Sequence, residues 1–97
     1  MQTIQPEELK QRLDAGESIC IIDVREDEEV AAGMIPGAKH IVMGTIPERL
    51  QDIPRDEEVV MVCRSGNRSG MVCEYLQAQG FTNVKNMVGG MLVWERL

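Results

Sequence analysis

The sequence predicts a three-layer α/β/α domain on a five-stranded, mostly parallel sheet. Three observations carry this. Two apolar runs, residues 19–24 and 59–62, lack the polar alternation of a half-exposed strand and read as strands buried on both faces. Short helical patterns alternate with strands along the whole chain, the order that produces parallel crossovers with helices on both faces. A chain of 97 residues, 43% hydrophobic and 27% charged, has enough apolar surface for one core, so one domain is expected over residues 1–97.

Thr3-Ile4-Gln5 reads as a short first strand. Pro6 suits the first turn of a helix, where its missing N–H is not needed, and Glu7 and Glu8 sit near the positive helix end. Leu9 and Leu13, four apart, mark the buried stripe, and Gly16 is the expected stop. In the second strand, Ile19-Cys20-Ile21-Ile22-Asp23-Val24, Cys20 is expected to fill core space. The acid run Asp27-Glu28-Glu29 reads as the solvated first turn of a short helix ending near Gly33.

Ile35-Pro36-Gly37 has proline and glycine in the order of a type II turn. Residues 38–42 follow as a third strand containing His40, a lone histidine expected to be half-exposed. Thr45-Ile46-Pro47-Glu48 has the pattern of a capping box, which predicts a helix through Leu50 and Ile53 that stops at Pro54. Residues 59–62 form the fourth strand. The helix after Gly70 is expected to bury Met71, Val72, Tyr75 and Leu76 and to end at Gly80. Cys73 falls off that stripe and is expected to be partly exposed. Residues 84–88 read as a fifth strand. Gly89-Gly90 opens a last helical turn, residues 91–94, with Trp94 as a cap over the core.

Composition excludes several function classes. A net charge of −6 repels nucleic acid and anionic membranes, and the basic residues form no run. One Phe, one Trp and one Tyr supply no platform for stacking bases. Three cysteines without CxxC spacing argue against a disulfide scaffold and a structural zinc site, and one histidine offers no metal cluster. Neither a signal peptide nor a stretch of membrane-spanning length is visible, so the expected setting is a reducing cytoplasm. No exposed apolar stripe demands a partner, so a monomer is expected.

The chemistry concentrates in Cys63-Arg64-Ser65-Gly66-Asn67-Arg68-Ser69-Gly70, a polar loop between the fourth strand and the next helix. A cysteine there faces loop N–H groups and the positive end of a helix, and both favour an anion. The thiol should therefore have a depressed pKa, and Arg64 and Arg68 add to the field. In parallel sheets the site lies beyond the carboxyl ends of the strands, which is where Cys63 falls, with Asp23 and Arg25 expected at the same edge.

Such a thiolate suits two chemistries: attack on a phosphoryl group, or attack on a sulfane sulfur to give a persulfide. Cysteine-dependent phosphatases space the nucleophile and arginine as Cys-x5-Arg. Here the position six beyond Cys63 is Ser69, and the arginine comes one residue early at Arg68. A shorter loop makes a tighter ring of N–H groups, better suited to one sulfur atom than to a phosphate.

With the rest of the chain, that loop resembles the rhodanese family of sulfurtransferases in its single-domain form. Four stretches carry the resemblance from the first strand to Trp94: Asp23-Val24-Arg25 with Glu29, Gly33-Met34-Ile35-Pro36-Gly37-Ala38, the loop from Cys63 to Ser69, and Gly89-Gly90-x-x-x-Trp94. The sequence departs at Met34, where the family often has histidine, and at Val30, where an aromatic is common. The resemblance implies a rhodanese-like fold and a double displacement through a Cys63 persulfide, with no metal and no cofactor. The donor would be thiosulfate or a persulfide, including a protein persulfide, and the acceptor a thiol or cyanide. Arg64, Ser65, Gly66, Asn67, Arg68 and Ser69 would form the substrate cradle. Within it Arg64 and Arg68 would attract the donor's sulfonate, Ser65 and Ser69 would hydrogen-bond the sulfur, and Gly66 would permit the tight turn. Two other readings stay open: a cysteine-dependent phosphatase or arsenate reductase on a similar fold, and a non-catalytic sulfur carrier or partner-binding module.

Overall fold

The two apolar runs become the paired centre of the sheet. In the computed structural model, which describes residues 1–97, Cys20–Asp23 (β2) and Val59–Val62 (β4) pair in parallel, Cys20 opposite Val59 and Asp23 opposite Val62. Gln2–Ile4 (β1) and Val84–Met87 (β5) lie on one side of them and Lys39–His40 (β3) on the other, in the order β1-β5-β4-β2-β3. All four pairings are parallel.

Residues along β4 alternate between two cores, which explains why the run shows no polar alternation. Val59, Met61 and Cys63 join one core with Ile22, Ile46, Val72 and Leu76; Val60 and Val62 join the other with Leu9, Ile35 and Met91. Pro6–Asp14 (α1) and Gly90–Trp94 (α4) cover the second core, with Trp94 packed against it. Asn67–Ala78 (α3) covers the first. The short helix Asp27–Val30 (α2) carries the reciprocal Glu26–Glu29 capping box. The turn predicted at Ile35-Pro36-Gly37 closes with Ala38 N–H donating to Ile35 O at 3.0 Å and Gly37 at φ +86°. No helix is long and apolar enough to cross a membrane.

Three expectations are corrected. The helix predicted from Thr45 is a pair of 3-10 segments, Met43–Glu48 and Leu50–Asp52. The Thr45 hydroxyl donates back to Val42 O at 2.8 Å instead of capping a helix, and Pro47 supplies no N–H. This segment returns the chain from the end of β3 to the start of β4. A 3-10 helix covers more length per residue, about 2.0 Å against about 1.5 Å. Buried Ile46 and Ile53 hold it to the core.

The buried face of α3 is also turned from the predicted stripe. Ser69, Val72 and Leu76 are buried, and so is Cys73, which was expected to be partly exposed, whereas Met71 is 52% exposed. The helix starts four residues before Met71, and its phase is set by Ser69 facing Cys63 rather than by the apolar count. Cys20, expected in the core, is only half-buried, because it opens β2 at the amino-end edge of the sheet.

Candidate active site

The loop after β2 leads toward β3, whereas the loop after β4 leads back toward β5. The carboxyl ends of these two central strands therefore open a crevice, the place where open parallel sheets bind ligands. Cys63 is the residue that follows β4, and it is fully buried on the floor of the loop.

Three donors converge on its sulfur. Gly66 N–H donates to Cys63 Sγ at 3.1 Å, Ser69 N–H at 3.3 Å and the Ser69 hydroxyl at 3.2 Å. Ser69 lies in the first turn of the twelve-residue α3, so the sulfur also faces the positive end of that helix. Burial pushes the Cys63 thiol up. The Ser69 hydroxyl and the N–H groups of Ser69, Ser65 and Gly66 pull it down and prevail, so the thiol lies below its ordinary value. The other two thiols go the opposite way: burial raises Cys20 and pushes Cys73 up to about 12.

Backbone geometry makes the ring possible. Gly66 has φ +96° and caps α3, and a Cβ there would lie 3.1 Å from Gly89 N. The opposite side of the loop is held by α4: Met91 N–H donates to Cys63 O at 2.9 Å and Leu92 N–H to Arg64 O at 3.0 Å. Asn86, on β5, is buried and touches the loop twice, donating from Nδ2 to Gly66 O at 3.0 Å and accepting from the Ser69 hydroxyl at Oδ1, 2.5 Å away. Sequence reasoning did not single it out. The available signal was an amide inside a strand otherwise suited to apolar residues.

The charged residues divide by partner. Arg68 closes on Glu29 of α2 through Nη1–Oε1 at 2.7 Å and Nη2–Oε2 at 2.8 Å, so its fork is occupied. Arg25 is buried and grips both oxygens of Asp23, and it also donates to Gly33 O at 2.8 Å. The sequence placed that pair at the site's edge; the structure makes it a tie between β2 and the turn at Gly33. His40, half-buried as expected, places Nε2 2.7 Å from Arg25 O, which makes that nitrogen the proton-bearing one. Arg64, Ser65 and Asn67 are exposed, and Arg64 makes no ion pair, leaving its guanidinium the uncommitted cation of the loop.

The clamp on Arg68 has a pH signature. The Arg68 guanidinium, with the Glu26 N–H, holds the Glu29 carboxyl down at about 2, below the ordinary carboxylate value near ~4.3. A depressed folded-state pKa contributes stability that is complete above the unfolded value and is lost as pH falls through the folded one. Glu29→Gln is therefore expected to cost about 1 kcal/mol at pH 7, with the difference from the parent closing between about pH 4 and pH 2. Urea unfolding of both proteins at several pH values checks it. A gap of constant size would show that Glu29 acts through something other than its charge.

The Rhodanese-like domain family matches residues 5–97. YtwF of Bacillus subtilis, a provisionally assigned sulfurtransferase, is 56% identical over 87 residues, covering 90% of this chain and 84% of its own. A sulfurtransferase of Allochromatium vinosum is 45% identical over 93 residues, covering 96% and 87%. Among solved structures, a rhodanese-like domain protein from Staphylococcus aureus superposes with a TM-score of 0.91 at 45% identity, over 97% of this chain and 91% of that one. The family match, the sequence identities and the superposition agree, and this chain belongs to the rhodanese-like domain family.

Proposed function

We propose that this chain is a sulfurtransferase that carries sulfur on Cys63, working as one monomeric domain over residues 1–97. The observation that carries the proposal is the convergence of two N–H groups and one hydroxyl on the Cys63 sulfur, inside a six-residue loop at a helix N-terminus. A ring of that size suits a single anionic sulfur. Cys63 has no exposed surface, so a donor presents only its outer atom to the loop.

The Cys63 thiolate attacks the outer sulfur of thiosulfate. A new S–S bond forms to Cys63, the S–S bond of the donor breaks, and sulfite leaves with the electron pair. Arg64, exposed and uncommitted, draws the sulfonate end, while Arg68 braces the loop from Glu29. The N–H groups hold the negative charge of the persulfide that results. Cyanide or a thiolate then attacks the outer sulfur and leaves as thiocyanate or a new persulfide, and Cys63 departs as thiolate. A protein persulfide enters the same first step as thiosulfate. No cofactor and no metal takes part, and neither nucleic acid nor a membrane is a partner. Three free thiols suit a reducing, cytoplasmic setting.

Intact mass spectrometry tests the cycle. Addition of thiosulfate is expected to add one sulfur atom to the protein, and cyanide is expected to remove it with stoichiometric thiocyanate. If neither thiosulfate nor a small-molecule persulfide leaves a sulfur on the chain, the proposal fails.

A further inference from the structure

Ser69 stands between two acceptors. Its Oγ lies 3.2 Å from Cys63 Sγ and 2.5 Å from Asn86 Oδ1, and a hydroxyl has one proton to give. The Asn86 amide has no freedom to turn away. Its other end lies 3.0 Å from Gly66 O, which only accepts, so the NH2 group faces Gly66 and the carbonyl oxygen faces Ser69. Ser69 is fully buried and Asn86 is 5% exposed, and the Ser69 hydroxyl is the one donor Oδ1 has. A buried acceptor left without a donor costs free energy.

Two protonation states use that single proton differently. With Cys63 as a thiol, S–H donates to Ser69 Oγ, the Ser69 hydroxyl donates to Asn86 Oδ1, and every group is satisfied. With Cys63 as a thiolate, the sulfur has no proton and takes the Ser69 hydroxyl for itself, and Asn86 Oδ1 is stranded. We propose that Asn86 is a positioning residue that competes with Cys63 for the Ser69 proton and so sets the pH at which Cys63 becomes nucleophilic. The inference concerns the same thiol as the function proposed above, but it is tested without any sulfur donor.

The competing role for Asn86 is a brace for the loop, and the two roles differ in sign. Loss of a brace would slacken the N–H ring and make the thiolate harder to form. Loss of a competitor makes it easier. Gly66 O keeps a second donor, Gly70 N–H at 3.1 Å, so the loop stays tied when the amide is removed. The other charges around Cys63 do not depend on Asn86. Arg68 pairs with Glu29, Arg25 with Asp23, Lys85 of β5 turns to Glu58, α4 carries no charge between Gly90 and Trp94, and Arg64 is exposed.

The test is the pH dependence of iodoacetamide alkylation, read on the Cys63 peptide by mass spectrometry with no donor present. Asn86→Ala is expected to move the profile down by about one pH unit, the size of one hydrogen bond to a charged sulfur. Ser69→Ala is expected to move it up by about as much, and adding Asn86→Ala to it should then change nothing. An unmoved or upward profile in Asn86→Ala would overturn the proposal. So would a downward shift that persists without the Ser69 hydroxyl. Thermal unfolding of each variant confirms that the fold is kept, and Asn86→Leu, which fills the volume, carries the same expectation if Asn86→Ala does not fold. Failure of thiosulfate to load the chain would leave this titration intact, so the two proposals fail separately.

Discussion

Cys63→Ser is expected to abolish sulfur uptake, a loss of at least about four orders of magnitude in turnover, whereas Cys20→Ser and Cys73→Ser are expected to retain it. The physical reason is the unequal environment of three chemically identical thiols. Cys63 is buried like Cys73, yet it alone receives a hydroxyl and ring N–H groups that stabilise its anion. Cys73 sits on α3, one turn beyond Ser69, in the apolar core, where burial pushes it up to about 12. Cys20 is half-buried at the far edge of β2, and its thiol is raised as well. A serine hydroxyl keeps the shape of the ring but is far too weak an acid to ionise in it. Single-turnover loading with thiosulfate, read by intact mass, checks all three variants. Persistent loading of Cys63→Ser would move the nucleophile elsewhere.

Gly90→Ala is expected to lower Tm by roughly 10–20 °C and to remove the reactivity of Cys63 as well. A Cβ on Gly90 would run into Arg64 O and would lie 2.6 Å from Cys63 O, closer than atoms of these kinds approach, and the residue has φ +58°. The obstacles are backbone carbonyls, so no side chain can rotate away. Either the loop moves off α4, breaking the bonds from Met91 and Leu92 to those same carbonyls, or α4 itself is displaced. Overpacking and the left-handed conformation together cost about 3 kcal/mol, a large share of the stability of a domain this size. Gly89→Ala makes the contrast. Its Cβ meets the Val93 side chain at 2.6 Å, so trimming that side chain with Val93→Ala should recover much of the loss. The same second change is expected to do nothing for Gly90→Ala. Differential scanning calorimetry with thiol alkylation tests both. Near-parental stability in Gly90→Ala would mean the loop is not held as tightly as these contacts require.

The candidate site was legible in the sequence to the extent that its chemistry is local. Strand, short polar loop and helix occur within about twenty consecutive residues. Helix polarity and N–H orientation follow from that order, so Cys63 and the anion-favouring loop were readable without any tertiary contact. The parallel sheet was readable for the same kind of reason: unbroken apolar runs have no exposed face to encode. The limits appear where two distant segments meet. Arg68 was read as a candidate for the donor's sulfonate, but α2 brings Glu29 to it across 39 residues and occupies its fork. The 3-10 connection before β4 depends on how far that segment must reach, a distance that exists only after the sheet has formed.

What the sequence by itself determined is the fold class and the place of Cys63 in an anion-favouring loop, because periodicity and loop order act between near neighbours. What only the tertiary structure decided is which distant groups surround the Cys63 sulfur. Asn86 stands seventeen residues beyond Ser69 on the next strand, and parallel pairing of β5 with β4 places its amide against the loop. The competition for one hydroxyl proton is a property of that packing, since no spacing within a single segment encodes which of two acceptors a buried serine will serve.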